Sequence, residues 1–399
     1  MRLLRQPQFL LIALSHLMVD SLSGQVGILL AVLSVPLALS NAAIGLIAML
    51  YSISSAVAQP IVGWMYDRAP GRFSLAAGVI WMGVLFGLVA ILPGYWPLGL
   101  MILASLGSGA FHPMGTSQAA DFGNRHMAGR VATAASIFFL FGQGGWAVGP
   151  ALGGVIVDRL GRQGILIPAV LAVVVGIGGM WWMRRPTRNA ASEADETANG
   201  KAQAAPGADV AAFILILFCA GFRNWAATAT MTFIPKFYLD LGYTPSVFGV
   251  IAALFMGGSA IGGVIGAMIA DRFGKRRTIF FSLILSVLPF YFFPISRGVA
   301  IFVLVALAGL LNGASHPILV TMAQRALPGR AGFAAGLTLG VMFAAGSIGA
   351  YFSGLGADQL GLARVLQANA AISLAGAAVV LALRRETKNG PTPLLSAEG

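Results

Sequence analysis

The sequence predicts an all-α integral membrane protein in which twelve transmembrane helices form two six-helix bundles. Three observations carry that reading. First, 58% of the 399 residues are apolar, only 10% are charged, and mean hydropathy is +0.85. Soluble domains carry about a quarter charged residues, so these charges are too few to cover a water-facing surface of this size. Second, apolar stretches of about 20 residues recur along the chain, each long enough to cross a bilayer core as a helix. No alternating strand pattern accompanies them, and lipid demands that every backbone group be satisfied internally, so helices remain. Third, the second half of the chain repeats the first.

In chain order the expected spans are residues 8–33, 41–64, 73–93, 97–121, 130–157, 164–185, 209–239, 245–269, 278–296, 298–324, 331–356 and 363–384. The basic start, MRLLRQPQF, leads into a long apolar run without a short core ending at a small-residue cleavage site. It reads as a retained first helix, not a signal peptide. Residues 184–209, RRPTRNAASEADETANGKAQAAPGAD, are polar, Ala-rich and poor in large apolar side chains, which is a linker composition. The expected organisation is an N-terminal bundle over 1–185, a cytoplasmic linker over 186–208, and a C-terminal bundle with a short tail over 209–399.

The basic residues sort by loop. Nineteen of the 25 fall on one side: Arg2, Arg5, Arg68, Arg72, Arg125, Arg130, Arg184, Arg185, Arg188, Lys201, Arg272, Lys275, Arg276, Arg277, Arg325, Arg330, Arg384, Arg385 and Lys388. The opposite loops hold Arg159, Arg162, Lys236, Arg297 and Arg364. The excess of cytoplasmic Lys and Arg in membrane proteins places both termini and the linker in the cytoplasm of a bacterial inner-membrane protein. The net charge of +12 is thereby a topology signal, and nucleic acid is not an expected partner. The single Cys219 excludes a disulfide within the chain.

The repeat is read from paired motifs. Asp67 in YDRAPGR pairs with Asp271 in ADRFGKRR, and His112 in FHP with His316 in SHP, both at a shift of 204. Gly129-Arg130 pairs with Gly329-Arg330, and VDRLG from Val157 with ADQLG from Ala357, both at a shift of 200. An even number of spans per half makes the repeat parallel, about an axis along the membrane normal, with a site expected between the halves.

The first span carries a narrow polar stripe. Asp20 lies mid-helix, with His16 at i−4, Gly24 at i+4, and Ser23 and Gly27 beside them. An intramembrane ionisable group is costly and normally faces a cavity or a partner. His112, with Ser105, Ser108 and Thr116, makes a similar stripe in the fourth span, and Asn312 and His316 make one in the tenth. Packed, hydrogen-bonded histidines would give the same pattern, and the prolines after both histidines are expected to kink both helices. Arg223, beside the repeat equivalent of Asp20, is the basic side chain placed at mid-depth. Gln143 and Trp146 are candidates to reach the same space, while Trp96, Trp181 and Trp182 suit interface anchors.

Two motifs give a family resemblance. The loop from Gly63 to Arg72 resembles the loop between helices two and three of the major facilitator superfamily, through Gly63, Asp67, Arg68, Gly71 and Arg72, with Phe73 a departure. Asp271, Arg272, Gly274, Lys275 and Arg276 form its second copy, in which Gly266 stands one residue early. In the fifth span Gly145, Gly149, Pro150, Gly153 and Gly154 resemble the glycine-proline motif of the antiporter branch. Glycines at i, i+4 and i+8 also permit close backbone approach on one face, so tight packing alone is the plainer reading. FHP, HLxxD and the fourth loop look most like the fosmidomycin-resistance group of exporters.

The resemblance implies a proton-coupled antiporter exporting small, anionic molecules or antimicrobials by alternating access. It implies that the Asp67 and Arg72 loop latches the cytoplasmic side of the outward-open state. It also implies that helices one and seven line a central cavity, so that Asp20 and Arg223 confront each other across it. Asp20 and His16 would carry the proton, while Arg223, His112, His316, Asn312, Gln143 and Trp146 would contact substrate. A proton-coupled symporter importing an organic acid is the alternative on the same fold. No P-loop or metal-spaced His/Cys cluster is present, so no enzyme, cofactor or metal is expected. The expected partners are protons, a small-molecule substrate and the lipid bilayer, around a monomer.

Overall fold

The computed structural model describes residues 6–68, 75–126, 131–182 and 208–383, without the side chains of Tyr66, Asp67, His126, Val131, Ala132, Trp181, Trp182, Ala331 and Gly332. Among the described residues there are helices and no strands. The first span is built from Pro7–Gly24 and Val26–Ser34, joined at Gln25. The second to sixth are Asn41–Arg68, Leu75–Ile91, Trp96–His126, Val131–Leu160 and Leu166–Trp182. The seventh to ninth are Val210–Asp240, Pro245–Phe273 and Lys275–Phe292. The tenth joins Val299–Ala314 to His316–Ala326, and Ala331–Leu360 and Leu362–Ala382 complete the set. Eleven of these are long and apolar enough to cross a membrane, and Leu75–Ile91 is a shorter apolar helix next to residues outside the description.

Local chemistry fixes the ends. Pro7 and Pro245 open their helices where a missing N–H costs nothing. The Asp209 carboxylate accepts from the Ala212 amide at 2.9 Å and caps the seventh span. Single residues, Gly274 (φ 94°) and Gly361 (φ 84°), separate the eighth from the ninth span and the eleventh from the twelfth. Only glycine takes that left-handed backbone without strain, so these reversals need it.

The histidine-proline copies differ. The tenth span breaks at Ser315, just before His316-Pro317, whereas the fourth runs unbroken through His112-Pro113. The two copies thus differ in helix continuity. The His112 ring bonds down its own helix to the Ser108 carbonyl and braces that turn, while the His316 ring reaches across to the seventh span.

Large apolar side chains such as Leu140, Val170, Val174 and Phe281 are exposed on the outside. Polar Ser15, His16, Asp20, Gln25, Arg223, Asn312 and Asn369 are buried inside. That distribution is the one a lipid solvent imposes. The first span packs on the fifth within one half, and the seventh on the eleventh and twelfth within the other. Between the halves the second span packs on the eleventh, the fifth on the eighth, and the outer part of the first on the seventh.

Candidate functional site

Asp20 sits in a three-residue cluster within the first half. One carboxylate oxygen, Oδ2, lies 3.2 Å from His16 Nε2, and the other, Oδ1, lies 3.4 Å from His112 Nε2. The two rings are themselves anchored: His16 Nδ1 donates to the Phe138 carbonyl at 2.8 Å, and His112 Nδ1 to the Ser108 carbonyl at 2.8 Å. Helical spacing puts His16 one turn below Asp20, and the fourth span brings His112 to the opposite carboxylate edge. The His16 ring stacks on Phe138 with centroids 4.0 Å apart. His112 is the most open member, with a side chain 26% exposed against 6% for Asp20.

The fifth span leaves room for this cluster. A Cβ on Gly142 would collide with the His16 ring and come within 2.8 Å of Asp20 Oδ2. Further along, a Cβ on Gly145 would lie 2.6 Å from the Leu17 carbonyl, and one on Gly153 2.6 Å from the Gln25 side chain. Gly149 meets the Ser21 backbone more closely still. Gly145, Gly149 and Gly153 thus face the first span, as does the Pro150 ring against Gly24, whereas Gly154 and the Pro150 carbonyl meet Pro245 and Gly249 of the eighth.

Arg223 occupies the matching region of the second half. Its Nη1 donates to Asn224 Oδ1 at 2.9 Å and to His316 Nδ1 at 3.2 Å, and its Nε donates to the Asn312 carbonyl at 3.2 Å. The Asn312 amide returns a bond to the Arg223 carbonyl at 3.3 Å. Every one of these partners is neutral. Among the described residues no ion pair joins Arg223 to Asp20, and each is bonded within its own half. The physical reason lies in the repeat, which relates His112 to His316 and Ser108 to Asn312. Each charged group is thereby given its partners on its own wall.

Between the walls lies a cavity of about 780 Å³. Arg223, His316, Gln143 and Trp146 line it, as the sequence expects, whereas Asn312 is fully buried behind Arg223. The wall passes through Ser23 and Gly24, one turn along the helix from Asp20. Sequence reasoning missed Tyr51 on the first-half wall, and Asn224, Thr228, Phe255, Met256 and Phe343 on the second-half wall. Tyr51 donates to Ser23 Oγ at 2.9 Å, and its place on the second span, one half-helix from Asn41, was the available signal.

The cavity reaches Asp271, at the end of the eighth span that shares its side with the chain termini. The opposite end is shut. The Asp358 carboxylate at the end of the eleventh span accepts from the amides of Asn41 and Ala42 at 2.8 and 2.9 Å. Asp158, at the end of the fifth, accepts from Ser246 Oγ at 2.5 Å. Both carboxylates sit at the N-terminus of a helix from the other half, where orphan amides and the helix dipole favour negative charge. Small residues let the backbones close: a Cβ on Gly45 would lie 2.8 Å from the Ala350 carbonyl. These two acids lie in the VDRLG and ADQLG copies, which the sequence marks only as a repeat.

At the cavity's open end, Asp271 is exposed and has no ion-pair partner among the described residues. Arg272 lies 5.3 Å from the centre of the Phe273 ring, and Gly274 makes the turn to the ninth span. Gly63 and Arg68 are described, with the Arg68 guanidinium 4.0 Å above the Trp64 ring. The Asp67 side chain, Gly71 and Arg72 lie outside the described residues, as does nearly all of the 186–208 linker. Trp96 is exposed at a helix end, while the side chains of Trp181 and Trp182 are not described. The ring nitrogens of His16 and His112 and the Asp20 carboxylate oxygens lie within 4.8 Å of one another.

Comparison with known proteins agrees with this architecture. Residues 9–219 and 213–399 match the model of the Major Facilitator Superfamily. The chain is 30% identical over 381 residues to the uncharacterized MFS-type transporter YfnC of Bacillus subtilis, covering 93% of this chain and 91% of that protein. It is 29% identical over 380 residues to the fosmidomycin resistance protein of Escherichia coli, covering 92% and 90%. Among solved structures, an inward-facing, occupied bacterial homolog of the human lysosomal transporter Spinster superposes with a TM-score of 0.79 at 14% identity, covering 94% and 95%.

Proposed function

The chain belongs to the major facilitator superfamily, and from that premise we propose that it is a proton-coupled antiporter exporting a small anionic molecule by alternating access. One observation carries the reading: a cavity, closed at one end, has a carboxylate-histidine cluster beside one wall and, in the other, a guanidinium whose partners among the described residues are neutral. A buried cation without a counter-charge is costly unless an anion comes to it. Arginine keeps its charge and offers a planar fork suited to carboxylate or phosphonate groups. The neighbouring cluster supplies the groups that exchange protons.

In this reading residues 1–185 and 209–399 rock about the cavity, with 186–208 as their tether. The chain is a monomer in a bacterial inner membrane with both termini in the cytoplasm, so the structure corresponds to a state open to the cytoplasm. Protons arrive when the far end opens, enter through the more exposed His112, and leave toward the cytoplasm. Asp67, Arg68, Gly71 and Arg72, with Asp271, Arg272 and Gly274, latch the cytoplasmic end in the opposite state. The glycine-proline stretch of the fifth span and the resistance-protein relative support export over import.

A second reading has an observation of its own. Arg223 pairs with no carboxylate among the described residues in this state, so an anion and protons can be held at once, which is the loading order of a symporter. Transport by inside-out vesicles under an imposed pH gradient, with fosmidomycin as probe, separates the two. Exchange predicts uptake driven by an acidic lumen and lost in Asp20→Asn. Uptake driven by acid on the substrate's side selects symport. Undiminished accumulation by Asp20→Asn removes Asp20 from the proton path.

A further inference from the structure

We infer that His16, Asp20 and His112 bind two protons as one unit, so that the transport cycle proposed above exchanges protons in pairs. The argument starts from the outer nitrogens. Both Nδ1 atoms face backbone carbonyls at 2.8 Å, the Phe138 carbonyl for His16 and the Ser108 carbonyl for His112. A carbonyl oxygen can only accept, so each Nδ1 carries a hydrogen. A neutral imidazole has one ring hydrogen, which leaves each Nε2 as a bare lone pair.

Both Nε2 atoms lie beside the Asp20 carboxylate, at 3.2 and 3.4 Å, and its buried Oδ1 has no hydrogen-bond partner among the described residues. With neutral rings and an ionised acid, two pairs of acceptors would stand against each other in a buried site. Low dielectric makes such unbridged contacts expensive. One proton bridges one contact and leaves the other repulsive. Two protons bridge both, whether they sit on the two rings or on one ring and the carboxyl. The cluster then carries a net charge of about +1, against −1 when empty.

Among the described residues, the Tyr51 hydroxyl is the further ionisable group near this cluster. The third span, Leu75–Ile91, and the sixth, Leu166–Trp182, contain none in their sequences. The fifth presents the Phe138 carbonyl and Gly142 to the cluster, and the second presents the Tyr51 hydroxyl, which is committed to Ser23. The other half is built the opposite way. His316 Nδ1 accepts from the Arg223 guanidinium, so its hydrogen is on Nε2, and a second proton there would stand beside a fixed cation. Repeat-equivalent histidines thus have opposite polarity, and proton storage belongs to the first half alone.

The test uses full-length protein in lipid nanodiscs with ¹⁵N-labelled histidine. The chain has four histidines, so His16→Gln and His112→Gln variants suffice to assign the two resonances. Across about pH 4 to 9, which brackets ordinary imidazole titration, both Nδ1 atoms should stay protonated while the Nε2 positions titrate. Potentiometric titration should show wild type releasing two more protons than the His16→Gln/Asp20→Asn/His112→Gln variant. A bare Nδ1 on either ring, a difference of one proton, or a stoichiometric divalent ion in the purified protein overturns the inference. A one-proton result with gradient-driven transport intact removes the pairing and leaves the proposed antiport standing. Transport without coupling in wild type removes the antiport instead.

Discussion

Asp158 and Asp358 hold equivalent places in the two halves, at positions 200 residues apart, and each bonds to the N-terminal end of a helix of the opposite half at the far end of the cavity. The closure is therefore two-fold in kind, although the donors differ: a serine hydroxyl on one side, two backbone amides on the other.

Removing both contacts should favour the state open at the far end. Each contact is worth about 1 kcal/mol, so Asp158→Ala with Asp358→Ala moves the balance by about 2 kcal/mol, or roughly 30-fold. Ser52 lines the cavity and Cys219 is buried, so a Ser52→Cys probe reports over a silent background. In oriented vesicles an impermeant thiol reagent applied from the side opposite the termini should label that cysteine several-fold faster in the double variant. Equal rates would mean that these contacts do not hold the gate.

Arg223 is expected to set affinity for the anion. Arg223→Ala should raise KM about 10- to 100-fold, the loss of a charge-assisted hydrogen bond or two. Arg223→Lys keeps the charge without the fork and should fall between. Concentration-dependent transport by both variants checks this, and an unchanged KM in the alanine variant rules out a substrate role.

The glycines of the fifth span should differ in their tolerance. A Cβ on Gly145 meets the Leu17 carbonyl at 2.6 Å, whereas one on Gly144 meets only the Leu17 side chain at 3.6 Å. Overpacking against backbone costs about 1–3 kcal/mol. Gly145→Ala should lower the melting temperature in detergent by about 2–6 °C, and Gly144→Ala should leave it unchanged. Equal effects would show that the first and fifth spans have slack between them.

Gln25 joins the two helices of the first span, and neither polar atom of its buried amide has a hydrogen-bond partner among the described residues. Replacing such a group by an apolar one of similar shape is neutral or stabilising. Gln25→Met should raise the melting temperature by about 1–4 °C. A fall would reveal a partner for the amide.

The spans were legible in the sequence because lipid imposes a single pattern on the chain. Expected and observed limits differ by a few residues, as at 245–269 against Pro245–Phe273. His16, Asp20, His112, Arg223 and His316 were legible too, as polar groups at mid-depth. Their pairing was not. Shifting Asp20 by 204 residues lands on Asn224, beside Arg223, and suggests two charges opposed. A repeat shift relates equivalent places on two walls; it does not say which residues touch across the gap. Read through the histidines, the same shift pairs His112 with the acid and His316 with the base.

The amides that Asp358 engages belong to the main chain, and every residue except proline supplies one. Sequence drift at 41 and 42 is accordingly silent for this contact, while the burden of keeping it falls on one position. The Asp158–Ser246 contact is different, since either partner can lose it. Of the two fastenings at the far end, one tolerates change from a single direction and the other from none.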